Sequence, residues 1–439
     1  MRTIYSAREF IHVSAARAPA TRDLEAELRQ VVSGEVRFDA GSRALYATDS
    51  SNYRQVPIGV VIPRDVEDVV RAVTVCREHG APILARGGGT SLAGQCCNVA
   101  VVFDFSKYLH HVLALDPRGK RARVQPGTVL DTLRAAAERH HLTFGPDPAT
   151  HDHNTLGGMI GNNSCGVHSV MAGRTTENVE ELEVLTYDGL RLRVGPTSDD
   201  ELERIIRAGG RRGEIYGQLR ALRDRYADLI RTRFPDIPRR VSGYALDQLL
   251  PENGFHVARA LVGSECTCVT ILAATVRLVD SPPVRSLVVL GYPDVFSAGD
   301  HVPDVLAHGP IALEAIDDQL AEWASLMGLH PAAIRQLPPG GGWLLVEFGG
   351  QTREEANGKA HALMEALKAV SNPPSLKLMD DPREEAETWK VREAGLGATT
   401  IIPVTNKIAW PGWEDAAVAP DKLGGYLRGF RALLDKYGY

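Results

Sequence analysis

A stretch of nearly bare backbone between two apolar runs constrains this chain more than any other feature of its sequence. Residues 86–95 read RGGGTSLAGQ, and five of these ten residues are Gly or Ala. The apolar residues 81–84 and 99–103 predict a strand on either side. Backbone without side chains lets several N–H groups converge on one anion, and Arg86 adds a positive charge. The sequence therefore predicts an anion-binding loop between two strands.

The spacing of residues within this loop excludes two common classes of nucleotide-binding loop. It lacks the Lys-Ser/Thr ending of a nucleoside-triphosphatase loop, and it lacks the Gly-x-Gly-x-x-Gly spacing of a Rossmann turn. An ordinary glycine-rich turn is the alternative interpretation, because a short motif by itself is weak support for a binding site.

A second segment has the same character. Residues 145–166 read GPDPATHDHNTLGGMIGNNSCG and form a loop too long for a plain connector, which is typical of functional loops. Two glycine-rich segments about 60 residues apart in one domain predict a ligand with several separated polar parts, and a dinucleotide fits that description. His151 and His153, on alternate positions, are interpreted as polar or substrate-facing groups, since two His without a third ligand give little support for a metal site.

Composition excludes several other classes of protein. The net charge of −6 gives no basic surface for nucleic acid, and no run of 18 apolar residues predicts a membrane span. Residues 1–22 do not resemble a signal peptide. The six Cys lack zinc-site or disulfide spacing and are typical of reduced thiols in a cytoplasmic protein.

Alternation of strand and helix patterns predicts three regions. Residues 1–55 are a polar lead-in, with a helix over 23–32, that packs on the following domain. Residues 56–281 begin with a strand, a helix capped by Asp65, and a second strand, and later carry a hairpin around 187–189 and strands at 261–262 and 271–279. After Pro282-Pro283 the pattern restarts, so residues 284–439 predict a separate α+β domain.

Several segments in order resemble one known family. Residues 61–69, 86–95, 125–127, 145–166 and 263–265 resemble the FAD-linked oxidases of the vanillyl-alcohol-oxidase or p-cresol-methylhydroxylase (PCMH) type. Within that family the chain looks like the D-lactate, glycolate and D-2-hydroxyglutarate dehydrogenase branch. The resemblance implies an α+β fold in which a two-subdomain PCMH-type FAD-binding domain (56–281) precedes an α+β substrate, or cap, domain (284–439).

The same resemblance implies which residues bind FAD. Residues 87–91 would wrap the pyrophosphate, and the second segment would follow the ribityl chain and flavin ring. A His that binds flavin covalently in some relatives matches Gly89 here, so FAD is expected to be non-covalent. The family's Gly-Ser-Glu-Gly-Thr reads Gly-Ser-Glu-Cys-Thr at 263–267, which puts adenine contacts there in doubt. The implied cofactor residues are Arg86, Gly87, Gly88, Gly89, Thr90, Ser91, Gln95, Pro146, Thr155, Gly157, Gly158, Asn162, Ser164 and Gly166.

On the substrate side the resemblance implies Arg392, with Lys407 as a partner for a second carboxylate. A guanidinium matches a carboxylate in two-pronged geometry. The alternative is that both are ordinary surface charges. A His-rich segment that holds a metal or acts as the base in relatives is expected beyond Tyr439, so the cap domain is expected to be incomplete and no metal ligand is predicted in this chain.

The resemblance implies an FAD-dependent dehydrogenase that oxidises a D-2-hydroxy acid, such as D-lactate or D-2-hydroxyglutarate, to the 2-oxo acid. Electrons would leave to a quinone, a cytochrome or an iron–sulfur protein or domain. The expected location is the cytoplasm, or the periphery of the inner membrane. Two alternatives stay open: a non-catalytic FAD-binding module, and an NAD(P)H-using flavin reductase of the same fold.

Overall fold

A computed structural model gives the structure of most of the chain. The described residues are 21–379, 381–393, 395, 397, 402–403, 409 and 415–438.

The first sheet has four strands in the order β1-β2-β4-β3. Strands β2, β4 and β3 are parallel, and β1 pairs with β2 in the antiparallel sense. Helices α1 and α3 pack on each other beside this sheet. The elements are α1 (Thr21–Val31), β1 (Glu35–Arg37), α2 (Ala40–Leu45), β2 (Gly59–Ile62), α3 (Val66–Glu78), β3 (Ile83–Arg86) and β4 (Val101–Asp104).

Local sequence explains the strand–helix–strand unit at the centre of this sheet. The Asp65 side chain accepts a hydrogen bond from the Asp68 N–H at 2.8 Å and caps α3, as the sequence predicts. Val69 and Val73 lie one turn apart on α3 and are fully buried. Gly80 follows with a φ of +63°, which turns the chain into β3.

The second sheet has five antiparallel strands in the order β5-β6-β10-β8-β9. Leu185 and Leu272 of this sheet belong to the core of the first sheet, so the two sheets form one packed unit. A two-stranded pair, β7 with β11, lies apart from both. The strands are β5 (Val112–Asp116), β6 (Arg121–Val124), β7 (Leu142–Thr143), β8 (Val179–Leu185), β9 (Arg191–Val194), β10 (Thr270–Arg277) and β11 (Val279–Asp280).

Helices of this region connect the strands and cover the sheet. They are α4 (Leu130–Glu138), α5 (Leu156–Asn162), α6 (Ser169–Ala172), α7 (Thr175–Asn178), α8 (Asp199–Ala208), α9 (Gly210–Arg233) and α10 (Val257–Ala260), with 3-10 turns at Leu246–Leu249 and Pro251–Asn253. The hairpin predicted around residues 187–189 joins β8 to β9. The strand predicted at residues 261–262 is wrong: this apolar pair forms the turn after α10, where Val262 fills the core without pairing.

The third sheet has four antiparallel strands in the order β13-β14-β12-β15. All nine residues of the central strand β14 are buried, because hydrophobic clusters cover both faces of the sheet. The strands are β12 (Val284–Tyr292), β13 (Ala312–Asp317), β14 (Gly342–Gly350) and β15 (Ser375–Met379). The helices are α11 (Val295–Asp300), α12 (Val302–Leu306), α13 (Asp318–Leu326), α14 (Pro331–Ile334), α15 (Arg353–Lys368), α16 (Pro382–Glu393) and α17 (Leu423–Tyr437), with a 3-10 turn at Pro420–Lys422.

In the ranges that the structure covers, no helix is long and apolar enough to cross a membrane.

Candidate functional site

The first glycine loop, residues 86–95, begins where β3 ends. The Arg86 guanidinium donates from Nη1 to the Cys96 carbonyl at 3.0 Å and lies over the Tyr46 ring, 5.4 Å from its centroid. A Cβ on Gly89 would lie 2.6 Å from Arg86 Nη2, and Gly89 has a φ of +68°. The charge of Arg86 therefore lies directly beneath the backbone of the loop.

The backbone donors of this partly exposed loop are open. In the described part of the chain, the N–H groups of residues 87–92 donate no hydrogen bond. The Gly89 carbonyl, by contrast, accepts one from the Ser50 N–H at 3.1 Å, which anchors the loop. A consecutive run of open backbone donors close to a fixed cation can bind an anion, and we call residues 86–92 the cradle.

The second glycine loop, residues 145–166, packs against the first. A Cβ on Gly87 would lie 2.0 Å from Thr155 Oγ1, and a Cβ on Gly88 would lie 2.2 Å from the His153 carbonyl oxygen. No real Cβ is tolerated at such distances, so these two glycines are required for the loops to meet. The sequence predicts both loops as one site, and the structure brings them into contact.

Thr155 anchors the second glycine loop. Its side chain caps α5 by accepting from the Gly158 N–H at 3.3 Å. The Gly157 N–H donates to the Pro126 carbonyl at 2.8 Å, and a Cβ on Gly157 would lie 2.8 Å from that oxygen. A Cβ on Gly166 would lie 2.0 Å from the Asp147 carbonyl oxygen. The loop is thus folded closely on itself and on residues 125–127.

The other predicted cofactor residues lie in these same two loops. Ser91 is 7% exposed, and its Oγ lies 3.1 Å from Cys96 Sγ. The Gln95 side chain accepts from the Ala93 N–H at 3.1 Å. The Ser164 carbonyl accepts from Thr175 Oγ1 at 2.7 Å. Of the remainder, Pro146 is buried, and Thr90 and Asn162 are partly exposed.

A third segment joins both loops from the side. The Gly263 N–H donates to the Ile160 carbonyl at 2.9 Å, and the Glu265 N–H donates to the Gly161 carbonyl at 3.0 Å. Cys266 has a φ of +63°, and its Sγ accepts from the Ala85 N–H at 3.4 Å. Residues 263–266 therefore connect the end of α5 to β3, as expected for segments of one site.

Arg392 lies near the end of α16, the helix that brings the third sheet toward the second glycine loop. It donates from Nε to Glu314 Oε2 at 2.8 Å. Burial raises the pKa of the Cys165 thiol in the second glycine loop, and the negative charge of Glu314 adds to this rise. The predicted Lys407 lies outside the described residues.

His151 contacts the same helix from the loop side. Its Nε2 lies 3.4 Å from Glu393 Oε1, and its Nδ1 lies 2.7 Å from Asp131 Oδ2. The hydrogen bonds to Glu393 and Asp131 raise the pKa of His151 to about 9. Among the described residues, no group of three His, Cys, Asp or Glu could hold a metal ion.

Sequence reasoning missed a buried ionic row at this boundary. Asp147, His168 and Glu347 form it, and each is less than a tenth exposed. One signal was present: Glu347 interrupts the apolar run of residues 343–348. A carboxylate inside such a strand requires a partner, although the sequence does not say which one.

Comparison with known proteins identifies the family to which these two glycine loops and the third sheet belong. Residues 57–195 match the model for the FAD binding domain, and residues 281–439 match the model for the C-terminal domain of FAD linked oxidases. The chain belongs to the FAD-linked oxidases. The predicted family, the α+β fold class and the cofactor FAD are confirmed, whereas the domain limits and the role of each site residue stay predictions.

The relatives of this FAD-linked oxidase are hydroxy-acid enzymes by name. A D-2-hydroxyglutarate dehydrogenase of Pseudomonas putida is 32% identical over 428 residues, which are 94% of this chain and 42% of the relative. A glycolate oxidase subunit GlcD of Bacillus subtilis is 28% identical over 95% of this chain and 77% of its own. The chain thus spans about two fifths of the length of the dehydrogenase relative.

Solved structures agree with this FAD-linked oxidase fold. A p-cresol methylhydroxylase with substrate bound superposes with a TM-score of 0.58 at 15% identity, covering 85% of this chain and 71% of its own. An alkyldihydroxyacetonephosphate synthase superposes with a TM-score of 0.59 at 16% identity, covering 86% and 68%. At this identity the likeness concerns the fold alone.

The residues present also fit the family's cofactor. The run of open N–H donors in residues 87–92 matches a diphosphate, which carries several anionic oxygens. The two glycines at the contact between the loops let both segments lie together, so one extended ligand could contact both of them.

Proposed function

We propose that this chain is the flavin-binding part of a dehydrogenase that oxidises a D-2-hydroxy acid, such as D-lactate or D-2-hydroxyglutarate, to the 2-oxo acid. The observation that carries this proposal is the placement of Arg392 beside a glycine-rich dinucleotide cradle, on a helix that contacts the second glycine loop. The names of the relatives support the substrate class.

Different residues of the two glycine loops would bind different parts of the cofactor. The N–H groups of residues 87–91, with Thr90 and Ser91 as further donors, would bind the diphosphate, and Arg86 would add charge beneath it. Residues 146, 155, 157–158, 162, 164 and 166 would follow the ribityl chain and the ring. Gly89 offers no nucleophilic side chain, which favours non-covalent FAD. Bound FAD supplies the acceptor for the substrate hydride.

Arg392 would bind and orient the substrate carboxylate. Glu314 engages Nε, and the edge formed by the two Nη groups would receive the substrate carboxylate, whose two oxygens it matches in spacing. Lys407 is proposed as the partner of a second carboxylate in a dicarboxylic substrate.

Electrons would leave to a quinone, a cytochrome or an iron–sulfur protein or domain. One mitochondrial relative, from Kluyveromyces lactis, is a D-lactate dehydrogenase named for cytochrome. The six unpaired cysteines fit a reducing compartment, which supports a cytoplasmic location, including the periphery of the inner membrane.

The deciding experiment follows the colour of bound flavin without oxygen. We expect D-2-hydroxyglutarate or D-lactate to bleach the oxidised flavin, and the L-enantiomers to leave it unchanged. Bleaching by NADPH and by neither acid would instead favour the reductase alternative. FAD that stays oxidised with every donor would favour the non-catalytic module. Folded protein that retains no FAD would contradict the cofactor assignment itself.

A further inference from the structure

Three ionisable side chains form a buried row between the second glycine loop and the third sheet. His168 Nδ1 lies 2.5 Å from Asp147 Oδ2, and His168 Nε2 lies 2.9 Å from Glu347 Oε2. Asp147 is 9% exposed, His168 7% and Glu347 4%. Asp147 belongs to the loop, while Glu347 belongs to the central strand β14. The imidazole therefore joins two parts of the fold that are 179 residues apart in sequence.

The row continues to the helix that carries Arg392. Trp389 donates from Nε1 to Glu347 Oε1 at 3.2 Å, and it lies one turn before Arg392 on α16. A chain of direct hydrogen bonds thus runs from the second glycine loop, through His168 and Glu347, to α16.

The charges in this row compensate one another. Burial by itself lowers the pKa of His168, but its hydrogen bonds to the two carboxylates raise it to about 9. Burial raises the pKa of Asp147 and of Glu347, but their contacts with His168 hold both pKa values below the usual range. A ring that donates from both nitrogens is an imidazolium, which is the form that two facing carboxylates require.

Other charged groups surround the row. Arg285 lies with Nη1 3.5 Å from Glu347 Oε2 and 3.3 Å from His168 Nε2, so both cations converge on one carboxylate oxygen. Arg134 adds positive charge near Asp147. Glu385 lies near Glu347 and pairs with Arg353 at 3.0 Å. Removing the His168 charge would leave two buried carboxylates, with the partly exposed Arg285 as the cation in contact with Glu347.

We propose that His168 is a positioning residue that couples the second glycine loop to the helix that carries Arg392. It makes no contribution to the chemistry of its own. It fixes the distance between the proposed flavin site and the proposed carboxylate site, because rigid hydrogen bonds to fully desolvated partners tolerate little displacement. The expected effect of His168 on substrate binding rests on the proposed function, whereas the coupling between the second glycine loop and α16 does not.

Hydrogen exchange of the FAD-loaded protein tests the coupling without any substrate. We expect His168→Gln to accelerate amide exchange by at least about fivefold both in residues 145–166 and in residues 382–393. The control is His79→Gln, which removes a His–Glu pair of 2.8 Å between the residue that follows α3 and Glu27 of α1, and it should leave both segments unchanged. Faster exchange in only one segment, or in neither, would overturn the proposal.

A milder variant covers the case in which His168→Gln does not fold. Trp389→Phe removes one hydrogen bond and leaves every charge paired. It should accelerate exchange in residues 382–393 and spare residues 145–166. Unchanged exchange in the helix would show that the row does not reach α16.

Steady-state kinetics then distinguish a positioning role of His168 from a general loss of protein stability. His168→Gln should raise KM for the hydroxy acid by roughly tenfold, with FAD content and the wavelength of the flavin band unchanged. In an Arg392→Ala background it should have no further effect on KM, because it acts through that side chain. Additive effects would contradict the proposal. A wild-type protein inactive toward every hydroxy acid would refute the proposed function and leave the exchange result to decide the coupling.

Discussion

Glu314 holds the guanidinium of Arg392 through a hydrogen bond of 2.8 Å between Nε and Oε2. Both side chains are about one quarter exposed, so the pair lies at the edge of the protein interior. An arginine held in this way keeps a fixed direction while its second edge can still bind a carboxylate. The pair therefore looks less like a stabilising surface bridge than like an oriented anion receptor.

Removing this guanidinium should weaken binding of the hydroxy acid and leave the cofactor in place. Arg392→Ala is expected to raise KM by about 10- to 150-fold, since a charge-assisted hydrogen bond contributes about 1.5 to 3 kcal/mol. Steady-state kinetics and flavin absorbance measure both quantities. Glu314→Gln is the matched variant and should change KM far less. Equal KM values for Arg392→Ala and the wild type would refute the assignment.

The contact between the two glycine loops predicts a specific loss of FAD. Gly87→Ala places a Cβ 2.0 Å from Thr155 Oγ1, so the loops must separate and FAD retention should fall sharply. Gly88→Glu should abolish retention without unfolding the third sheet. The control is Gly217→Ala on α9, where a Cβ meets nothing within 4 Å. Flavin per polypeptide after gel filtration gives the answer, and normal content in both loop variants would argue against the cradle.

The cap on α5 links helix stability to cofactor retention. Thr155→Val removes the oxygen that accepts from the Gly158 N–H, and loss of such a cap costs about 0.5 to 2 kcal/mol. We expect Thr155→Val to have a lower unfolding midpoint in denaturant and weaker FAD binding. Thr155→Ser keeps the hydroxyl and should have the unfolding midpoint and the FAD affinity of the wild type. A Val variant that binds FAD normally would mean that the cap is not needed for the site.

The buried row predicts a loss of stability in alkaline solution. The pKa of His168 is raised from 6.5 to about 9 in the folded protein, so its contribution is complete below about pH 6.5 and is lost as the pH rises through about 9. Thermal unfolding of wild type and His168→Gln over this interval measures the effect. The difference between the two should shrink with rising pH, and a constant difference would contradict the assigned charge. His151, whose pKa is also raised to about 9, is present in both proteins and cancels.

Much of the fold could be predicted because its signals are local. The Asp65 cap, the Val spacing on α3 and the positive φ at Gly80 depend on a few neighbouring residues, so the sequence alone was sufficient. Residues 261–262 show the limit: two apolar residues look like a strand, yet they fill the core from a turn. Apolar residues indicate burial, whereas pairing into a sheet depends on whether another strand's backbone lies beside them.

The sequence predicted that the two glycine-rich loops belong to one dinucleotide site, because a run of residues without bulky side chains can be read directly from it. It also pointed to Arg392 through a family motif. Only the tertiary structure decided that Asp147, His168 and Glu347 meet, and that Glu314 orients Arg392. These partners are far apart along the chain. A charged residue in an apolar run indicates that a partner is needed, but the packing of the sheets determines which residue that partner is.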